Sequence, residues 1–348
     1  MPYVEKHDNE TLFDQNVFKL PNGDGSGNPG WIGSGIPTTA MSDRVRAQNV
    51  AQSIIALAQG VPFFQMGTDL LRSKSLDRNS YDSGDWFNRV YWDQSSNNFG
   101  VGLPPAWDNQ SRWGIMSPLL ANTALSPSSA NIAFAAAQFR EFLRIRYSSP
   151  LFRLSSATDI ANRTTHYDTT GKPGLIVYAL NDTVDPGLDP AYETILVFIN
   201  ANKIAQTYTL SGADGFTLHP VQADATDADP VVQTASFNDS TDTFTIPART
   251  TAVFVSSNPI VPPSTLDWVG LMWPRGGVAN AINEGAATGG FDVYVQVYEA
   301  GVTEGAGQGA GIACYLHWGK YGSTWNDIAM TYNTDKGNND EYKATIPQ

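Results

Sequence analysis

Apolar positions recur with the period of an α-helix in two segments of the first 150 residues. Residues 44–59 and residues 131–147 each carry one apolar face, and Gly60 and Pro150 follow them as residues that stop a helix. The side chain of Ser42 or Asp43 is expected to cap the first of these helices. The apolar positions are Val50, Ile54, Leu57, Ala58, Ile132, Ala136, Phe139, Phe142 and Leu143.

Two short apolar runs, at residues 1–9 and 61–66, are interpreted as buried strands on either side of the first helix. The order strand, helix, strand is that of a βαβ unit, in which the two strands run parallel. Residues 20–41 are rich in Gly, Pro and Ser and are predicted to form a surface loop. Residues 67–128 are predicted to form a second, very long loop.

Beyond residue 175 the apolar pattern changes to that of β-strands. Strands are predicted at residues 175–180, 194–200, 207–210, 243–246 and 251–255, and together they indicate an antiparallel β-sandwich. The last part of the chain has three predicted strands, at residues 292–298, 312–318 and 342–347. A β-sandwich of this kind normally needs about seven strands. We therefore expect the last module to be a truncated sandwich.

The predicted organisation has four regions. They are an α/β region at residues 1–150, a β-sandwich at 151–257, a Pro-rich linker at 258–264 and a second β-sandwich at 265–348. A domain that begins directly with a buried strand has no polar flank to solvate its end. We therefore expect the first region to be part of a larger domain. The predicted fold class is α/β followed by all-β.

The composition excludes several classes of function. The net charge is −13 and the basic residues form no cluster, so we expect no nucleic acid partner. No stretch of about 18 apolar residues is present, so no membrane-spanning helix is predicted. Cys314 is the one cysteine, so no disulfide can form within the chain. An acidic chain with 9 Trp and 14 Tyr suits a neutral ligand better.

Two pairs of polar residues are candidates for chemistry. His7 and Asp8 follow the first predicted strand, at the end where parallel-sheet enzymes hold their reacting groups. The alternative is a loop carboxylate that caps a backbone amide. Asp85 and Arg89 have the spacing of a helical ion pair, or with Trp86 they form a fork that binds sugar hydroxyls. The nearby charged residues Asp69, Arg72, Lys74 and Asp77 are interpreted as ion pairs that fold the loop.

No metal or cofactor site is predicted. The four histidines, at positions 7, 166, 219 and 317, lie far apart and have no Cys or His partner at ligand spacing. No Gly-rich phosphate loop follows a predicted strand, and no G-x-S-x-G nucleophile motif is present. The sequence leaves a calcium requirement open.

Two segments of the chain resemble the pullulanase-type starch-debranching enzymes of glycoside hydrolase family 13. They are YVEKHDNETLFD at residues 3–14 and RVRAQNVAQSIIALAQGVPFFQMGTDLLRSKSLDRNSYDSGDWFNRVYW at residues 44–92. The resemblance is strong over residues 3–155 and continues to about residue 257, whereas residues 265–348 resemble an appended carbohydrate-associated β-sandwich. The catalytic domain of that family is a (β/α)8 barrel. The resemblance implies that residues 4–8 and 61–66 are its last two strands, the seventh and the eighth.

The resemblance also implies roles for four residues. Asp8 corresponds to the carboxylate that stabilises the oxocarbenium-like transition state, and His7 to the neighbouring histidine that binds the same sugar. Asp85 and Arg89 correspond to the pair that holds the next glucose unit. The implied partner is an α-glucan polysaccharide, and no cofactor is implied. The full-length protein is expected to be a monomer that is extracellular or at a bacterial cell surface.

The other two catalytic carboxylates of that family have no counterpart here. Retaining glycosidases hold a nucleophile and a general acid about 5–5.5 Å apart, and this family places them on the fourth and fifth barrel strands. No matching pair of carboxylates is found in residues 1–150. We therefore expect the parent protein to hydrolyse α-1,6-glucosidic branches in pullulan, starch or glycogen with retention, and this chain alone to be inactive. The alternatives are a non-catalytic starch-binding protein, a structural or adhesion protein of a bacterial surface, and a related debranching or branching enzyme.

Overall fold

The α-helices of this protein, seen in a computed structural model, lie before residue 224 in the part of the chain that the structure describes. That part comprises residues 2–20, 38–184, 187–224, 229–257, 266–270, 272–274, 291–318 and 326–346. The helices are α1 (Leu12–Lys19), α2 (Met41–Ala56), α3 (Asp85–Asn88), α4 (Ala106–Asn109), α5 (Trp113–Leu120), α6 (Ser129–Ser148), α7 (Ala157–Arg163) and α8 (Pro220–Ala223). Short 3-10 turns occur at Thr68–Leu70, Ser80–Asp82, Gln110–Arg112, Thr123–Leu125, Pro150–Arg153 and Val232–Thr234.

The two predicted helices are confirmed as α2 and α6, with shifted ends. Helix α2 begins three residues before the predicted start at residue 44, and its N-cap is Ala40, which makes no side-chain cap. The predicted cap by Ser42 or Asp43 is therefore wrong. Helix α6 begins with a capping box, in which Ser128 Oγ accepts a bond from the Asn131 amide. The Asn131 side chain accepts a bond from the Ser128 amide in return.

The capping box at α6 supports a stability prediction. We expect Ser128→Ala to lower the free energy of unfolding by about 1 kcal/mol, because the substitution leaves the Asn131 amide without its side-chain acceptor. Urea denaturation followed by circular dichroism measures the change. Ser129→Ala is the control, since Ser129 is the exposed first residue of the helix. Equal stabilities of the two variants would show that the cap contributes nothing.

The two predicted barrel strands are not strands in the structure. Residues 2–8 and 61–66 have irregular backbone. They share a backbone hydrogen bond from the Phe63 amide to the Pro2 carbonyl, with 3.1 Å between N and O. A strand exists only as part of a hydrogen-bonded ladder, and Pro2 and Pro62 carry no amide hydrogen to extend one. The predicted βαβ unit and its parallel pairing are therefore wrong for the described residues.

The region from residue 67 to residue 128 is not the single loop that was predicted. Helices α3, α4 and α5 and four of the 3-10 turns lie in it. Their apolar side chains join α1 and α6 in one core, which contains Phe13, Val17, Leu71, Leu76, Phe99, Met116, Leu119 and Ile132. The predicted loop at 20–41 lies mostly outside the described residues, which omit 21–37.

All five strands predicted between residues 175 and 255 are confirmed. The strands are β1 (Thr164–His166), β2 (Leu175–Asn181), β3 (Tyr192–Asn200), β4 (Gln206–Thr209), β5 (Thr217–Leu218), β6 (Ser236–Asn238), β7 (Thr243–Ile246) and β8 (Thr250–Ser257). They form a five-stranded sheet of order β1-β2-β3-β8-β5 and a three-stranded sheet of order β4-β7-β6. Every pairing within these two sheets is antiparallel.

The larger sheet is covered on both faces. One face shares a core with the smaller sheet, in which Phe244 lies 4.8 Å from Phe198 and 5.1 Å from Phe254 between ring centroids. The other face packs on Val50 of α2 and Phe142 of α6. Burial on both faces explains why β2 and β3 are nearly continuous apolar runs rather than alternating ones. The helices and the two sheets therefore lie in one compact unit, which extends from Met1 to Asn258.

The second compact unit is Pro259–Gln348. Its described strands are β9 (Trp268–Val269), β10 (Phe291–Tyr298), β11 (Cys314–Trp318), β12 (Asn326–Lys336) and β13 (Asn339–Ile346), in one antiparallel sheet of order β11-β12-β13-β10-β9. The three predicted strands of this module are confirmed as β10, β11 and β13. Strands β9 and β12 were not predicted, and the described residues show one sheet here rather than a sandwich. The predicted linker at 258–264 lies outside the described residues.

Candidate glucan-binding site

The turn that carries Asp85 and Arg89 is held by its own polar side chains. Gly84 precedes it with φ +76°, a conformation that favours glycine. The Asn88 side chain then donates bonds to the carbonyls of Ser80 and Gly84, at 2.7 and 3.0 Å, and accepts one from Ser80 Oγ at 2.8 Å. A helix of one turn is unstable alone, so these bonds fix α3 in place.

An open depression of about 450 Å³ lies at this turn, lined by Asp85, Trp86, Asn88 and Arg89. The Trp86 side chain is 61% exposed. Its ring nitrogen Nε1 donates to the Val101 carbonyl at 2.9 Å. Because the edge of the indole is fixed while much of the side chain stays exposed, Trp86 offers a rigid apolar surface to a ligand.

The predicted ion pair between Asp85 and Arg89 is not formed. Helix α3 ends at Asn88, and Arg89 follows in an extended conformation with ψ 143°, so the two side chains do not have helical spacing. The Arg89 guanidinium lies 4.3 Å from the centre of the Tyr91 ring instead. In the part of the chain that the structure describes, Asp85 and Arg89 form no ion pair with each other. Both side chains line the depression, where a ligand can reach them.

His7 and Asp8 lie on an exposed loop rather than at the end of a strand. Their side chains are 80% and 54% exposed, with 3.1 Å between His7 Nδ1 and Asp8 Oδ1. Lys6 Nζ donates to Asp8 Oδ2 at 2.9 Å. This bond lowers the pKa of Asp8, and the charges of His7, Lys6 and Lys74 act in the same direction. The Asp8 carboxylate is therefore exposed and paired with Lys6.

A buried polar network lies next to this loop, and sequence reasoning missed it. Asp14 Oδ1 accepts from Ser73 Oγ at 2.5 Å, and its Oδ2 accepts from the Lys74 amide at 2.8 Å. The Lys74 ammonium donates to the His7 carbonyl at 3.3 Å. Burial raises the pKa of Asp14 to about 6 and lowers that of Lys74. Asp14 and Lys74, which are 60 positions apart in the chain, are thus in contact next to the loop of His7 and Asp8.

Glu5 is a second buried carboxyl near the candidate site. It is 6% exposed, and its Oε2 accepts from Thr68 Oγ1 at 2.8 Å. Burial raises the pKa of Glu5 to about 7, and the Thr68 bond opposes the shift only in part. Gln48 and Gln52 donate to the Thr68 carbonyl and so hold this residue from helix α2.

The charged residues from 69 to 77 fold their segment by hydrogen bonds, so the predicted loop ion pairs are wrong. Arg72 donates to the carbonyls of Met66 and Asn88, at 3.4 and 2.9 Å. Asp77 accepts from the Asn79 amide at 3.0 Å, Ser83 Oγ at 2.6 Å and Asn109 Nδ2 at 3.0 Å. Arg72 and Asp77 are buried and bind neutral groups, because a guanidinium or a carboxylate can make several hydrogen bonds at once.

The segment Arg72–Lys74 joins the two candidate pairs. Arg72 binds the carbonyl of Asn88 in the depression, and Lys74 binds the carbonyl of His7 in the loop. No hydrogen bond or ion pair links Asp8 directly to Asp85 or Arg89 among the described residues. The His7–Asp8 loop and the turn with Asp85 and Arg89 are therefore both hydrogen-bonded to one buried polar segment.

The described part of the chain holds no group of three or more His, Cys, Asp or Glu that could bind a metal ion. It also has no helix long and apolar enough to cross a membrane.

A family model of α-1,6-glucosidases, pullulanase-type, C-terminal, matches residues 94–257. Over 265 residues the chain is 41% identical to pullulanase 1, chloroplastic, of Arabidopsis thaliana, and the alignment covers 73% of this chain and 26% of that protein. Over the matched residues, the chain belongs to the family of pullulanase-type α-1,6-glucosidases. It is also 33% identical over 227 residues to a pullulanase of Klebsiella pneumoniae, which covers 64% of this chain and 19% of that protein.

Solved structures of pullulanases resemble the pullulanase-type chain as well. The apo pullulanase from Klebsiella pneumoniae matches with a TM-score of 0.63 and 30% identity, over 74% of this chain and 26% of that one. Its maltotriose complex matches with the same TM-score and identity. The chain therefore spans about a quarter or less of the length of these relatives. The family match begins after Arg89 and ends at residue 257, so the roles of His7, Asp8, Asp85 and Arg89 stay predictions.

Proposed function

We propose that this chain supplies the glucan-binding side of an α-1,6-glucan hydrolase that cleaves branch linkages in pullulan, starch or glycogen. The observation that carries the proposal is the open depression at Asp85, Trp86, Asn88 and Arg89. The maltotriose complex of the similar Klebsiella pneumoniae pullulanase supports an α-glucan as the ligand. A glucose unit presents C–H groups to the Trp86 face and hydroxyls to the Asp85 carboxylate and the Arg89 guanidinium.

Asp8 is proposed as the carboxylate that stabilises the transition state. Positive charge develops on the sugar ring as the glycosidic bond breaks, and an ionised carboxylate stabilises it by several kcal/mol. The exposure of the Asp8 side chain, 54%, supports this role, because a sugar can reach the carboxylate. His7, beside it, is proposed to donate a hydrogen bond to the same sugar.

The nucleophile and the general acid are proposed to lie on polypeptide outside this sequence. Two observations support a larger domain. The relatives are about four times as long as the part that matches. Large apolar side chains of the two predicted barrel strands are also exposed, namely Tyr3, Val61, Phe63 and Met66. Exposed large apolar side chains are expected where another segment covers a surface, and the rest of the proposed larger domain would cover them here.

A titration with maltotriose tests the proposed binding side. We expect Trp86→Ala to weaken maltotriose binding to this chain about tenfold, because the substitution removes the apolar surface under the sugar. Isothermal titration calorimetry measures the dissociation constant. Trp92→Ala is the matched control, since Trp92 is 65% exposed and does not line the depression. If both variants bind as the unchanged chain does, the depression is not the glucan site.

An activity assay tests whether the nucleophile and the general acid lie outside this chain, as proposed. We expect no release of reducing sugar from pullulan by this chain alone, because one carboxylate cannot perform a double displacement. Turnover that persists after purification to homogeneity would contradict the proposed location of the nucleophile and the general acid.

A further inference from the structure

The second unit contains an open groove of about 640 Å³ on its sheet. The groove lies over strands β9, β10, β12 and β13 and the short segment at Met272–Trp273. Its side chains of interest are Trp268, Trp273, Tyr294, Gln296, Asn333 and Glu341. These residues lie outside the matched pullulanase-type segment, which ends at residue 257. No role assigned so far involves them.

Two indoles contribute to the apolar part of the groove, beside Met272, Tyr294 and Val295. Trp268 is 46% exposed and Trp273 is 61% exposed. Both are held by the backbone of β10: Trp268 pairs with Tyr298, and Trp273 exchanges two hydrogen bonds of 2.8 Å with Tyr294. A Cβ at Gly270 would lie 2.5 Å from the Trp268 ring, so the glycine lets the indole lie across the backbone. The aromatic surfaces are thus exposed on backbone that pairs with β10.

Three polar side chains in the groove form one connected network. Glu341 Oε2 accepts from Gln296 Nε2 at 3.2 Å, and Glu341 Oε1 accepts from Asn333 Nδ2 at 2.8 Å. Gln296 and Glu341 are direct cross-strand partners in the β10–β13 ladder. The network orients amide donors and carboxylate acceptors beside the indoles, and each amide keeps groups for further bonds. Preorganised polar groups beside an apolar surface are the usual make-up of a small-molecule site.

We infer that this groove is a second binding site for a neutral oligosaccharide, an α-linked glucan chain. A pyranose ring has an apolar face of C–H groups and a rim of hydroxyls that both donate and accept, which matches indoles beside amides and a carboxylate. An anionic ligand fits poorly, because the described lining residues include Glu341 and no cation. The choice of an α-glucan among neutral sugars rests on the proposed function.

The contacts of Glu341 argue against a cationic ligand. Its two oxygens each bind an amide, and Lys336 Nζ lies 3.9 Å away. The carboxylate is therefore already bound to two amides, whereas quaternary ammonium ions are recognised by the faces of an aromatic cage. Lys343, near the Tyr294 ring, is paired with Asp292 at 2.7 Å and so adds no free charge.

The test uses the full 348-residue chain carrying Trp86→Ala. In this variant the depression at Asp85 and Arg89 contributes little to the measured glucan binding. Maltoheptaose is titrated into this chain and into versions that also carry Trp273→Ala or Tyr315→Ala. We expect Trp273→Ala to weaken binding at least tenfold and Tyr315→Ala to leave it unchanged, because Tyr315 is 66% exposed but does not line the groove. Glu341→Gln keeps the shape of the network and is expected to weaken binding several-fold.

The outcomes separate this inference from the proposed function. If maltoheptaose binding survives Trp86→Ala and is lost with Trp273→Ala, the groove is a glucan site whatever the first site does. If Trp273→Ala and Tyr315→Ala bind equally well, the inference is overturned. Tighter binding of cellohexaose or of choline than of maltoheptaose also overturns it, because the groove would then select a different linkage or a cation.

Discussion

Replacing Asp182 with alanine is expected to lower the free energy of unfolding of the first unit by about 3–5 kcal/mol, the penalty for removing one partner of a buried ion pair. Asp182 Oδ1 lies 2.5 Å from Arg163 Nη1, and both side chains are 1% exposed. The same carboxylate accepts the amides of Leu188 and Asp189, at 2.7–2.9 Å. Alanine therefore leaves a buried guanidinium and two amides without this acceptor.

A neighbouring pair supplies the control for that prediction. Asp159 lies 3.9 Å from the Nε of the same arginine but is 42% exposed. We expect Asp159→Ala to cost less than about 1 kcal/mol, because water screens an exposed pair. Urea unfolding curves of the two variants measure the difference. Adding Arg163→Met to Asp182→Ala should recover part of the loss, since the buried guanidinium is then gone. Equal destabilisation by Asp182→Ala and Asp159→Ala would contradict the argument.

The sequence predicted those elements whose apolar pattern matches their burial. Helices α2 and α6 contribute apolar side chains to two cores, so their period is visible, although Ile54 and Leu143 of the predicted faces are exposed. Strands β2 and β3 are buried on both faces, and their continuous apolar runs were recognised for that reason. Strand β12 was missed because its outer positions are Asn, Asp and Thr, and a bulge between Tyr332 and Thr334 interrupts its alternation.

An apolar run in the sequence predicts that its side chains are buried, but it does not predict which segment of the chain buries them. Residues 61–66 have the composition of a buried strand, yet Val61 and Phe63 are exposed and the backbone is irregular. A strand also requires a neighbour that pairs with it, and pairing is a property of distant segments. The predicted barrel strands failed at this second requirement.

The sequence likewise predicted some residues of the candidate site and missed others. His7, Asp8, Asp85 and Arg89 were chosen from local motifs, and Asp85 and Arg89 do line one depression. Glu5, Asp14 and Lys74 look like surface charges in the sequence, since nothing local shows that they are buried. Their burial depends on contacts between segments about 60 residues apart. Only the folded chain brings these groups together beside the candidate site.

Glu5 makes the stability of the first unit depend on pH. Its pKa is about 7 in the folded chain, against 4.5 for the free side chain. Between these two values the folded chain binds more protons than the unfolded chain, so the free energy of unfolding falls as the pH rises. From pH 5 to pH 8 this one group lowers it by about 2–3 kcal/mol. Glu141, whose pKa burial also raises to about 7, acts in the same direction.

The variant Glu5→Gln should therefore lose less stability than the unchanged chain between pH 5 and pH 8. Glutamine keeps an oxygen that accepts the Thr68 hydroxyl and carries no charge that must be buried, so we expect the loss to shrink by about 2–3 kcal/mol. Urea unfolding at several pH values measures it. Asp214→Asn is the control, because Asp214 is exposed and water solvates its side chain in both states. If Glu5→Gln and the unchanged chain lose stability in parallel over this range, Glu5 is ionised in the folded protein and its burial does not control the pH dependence.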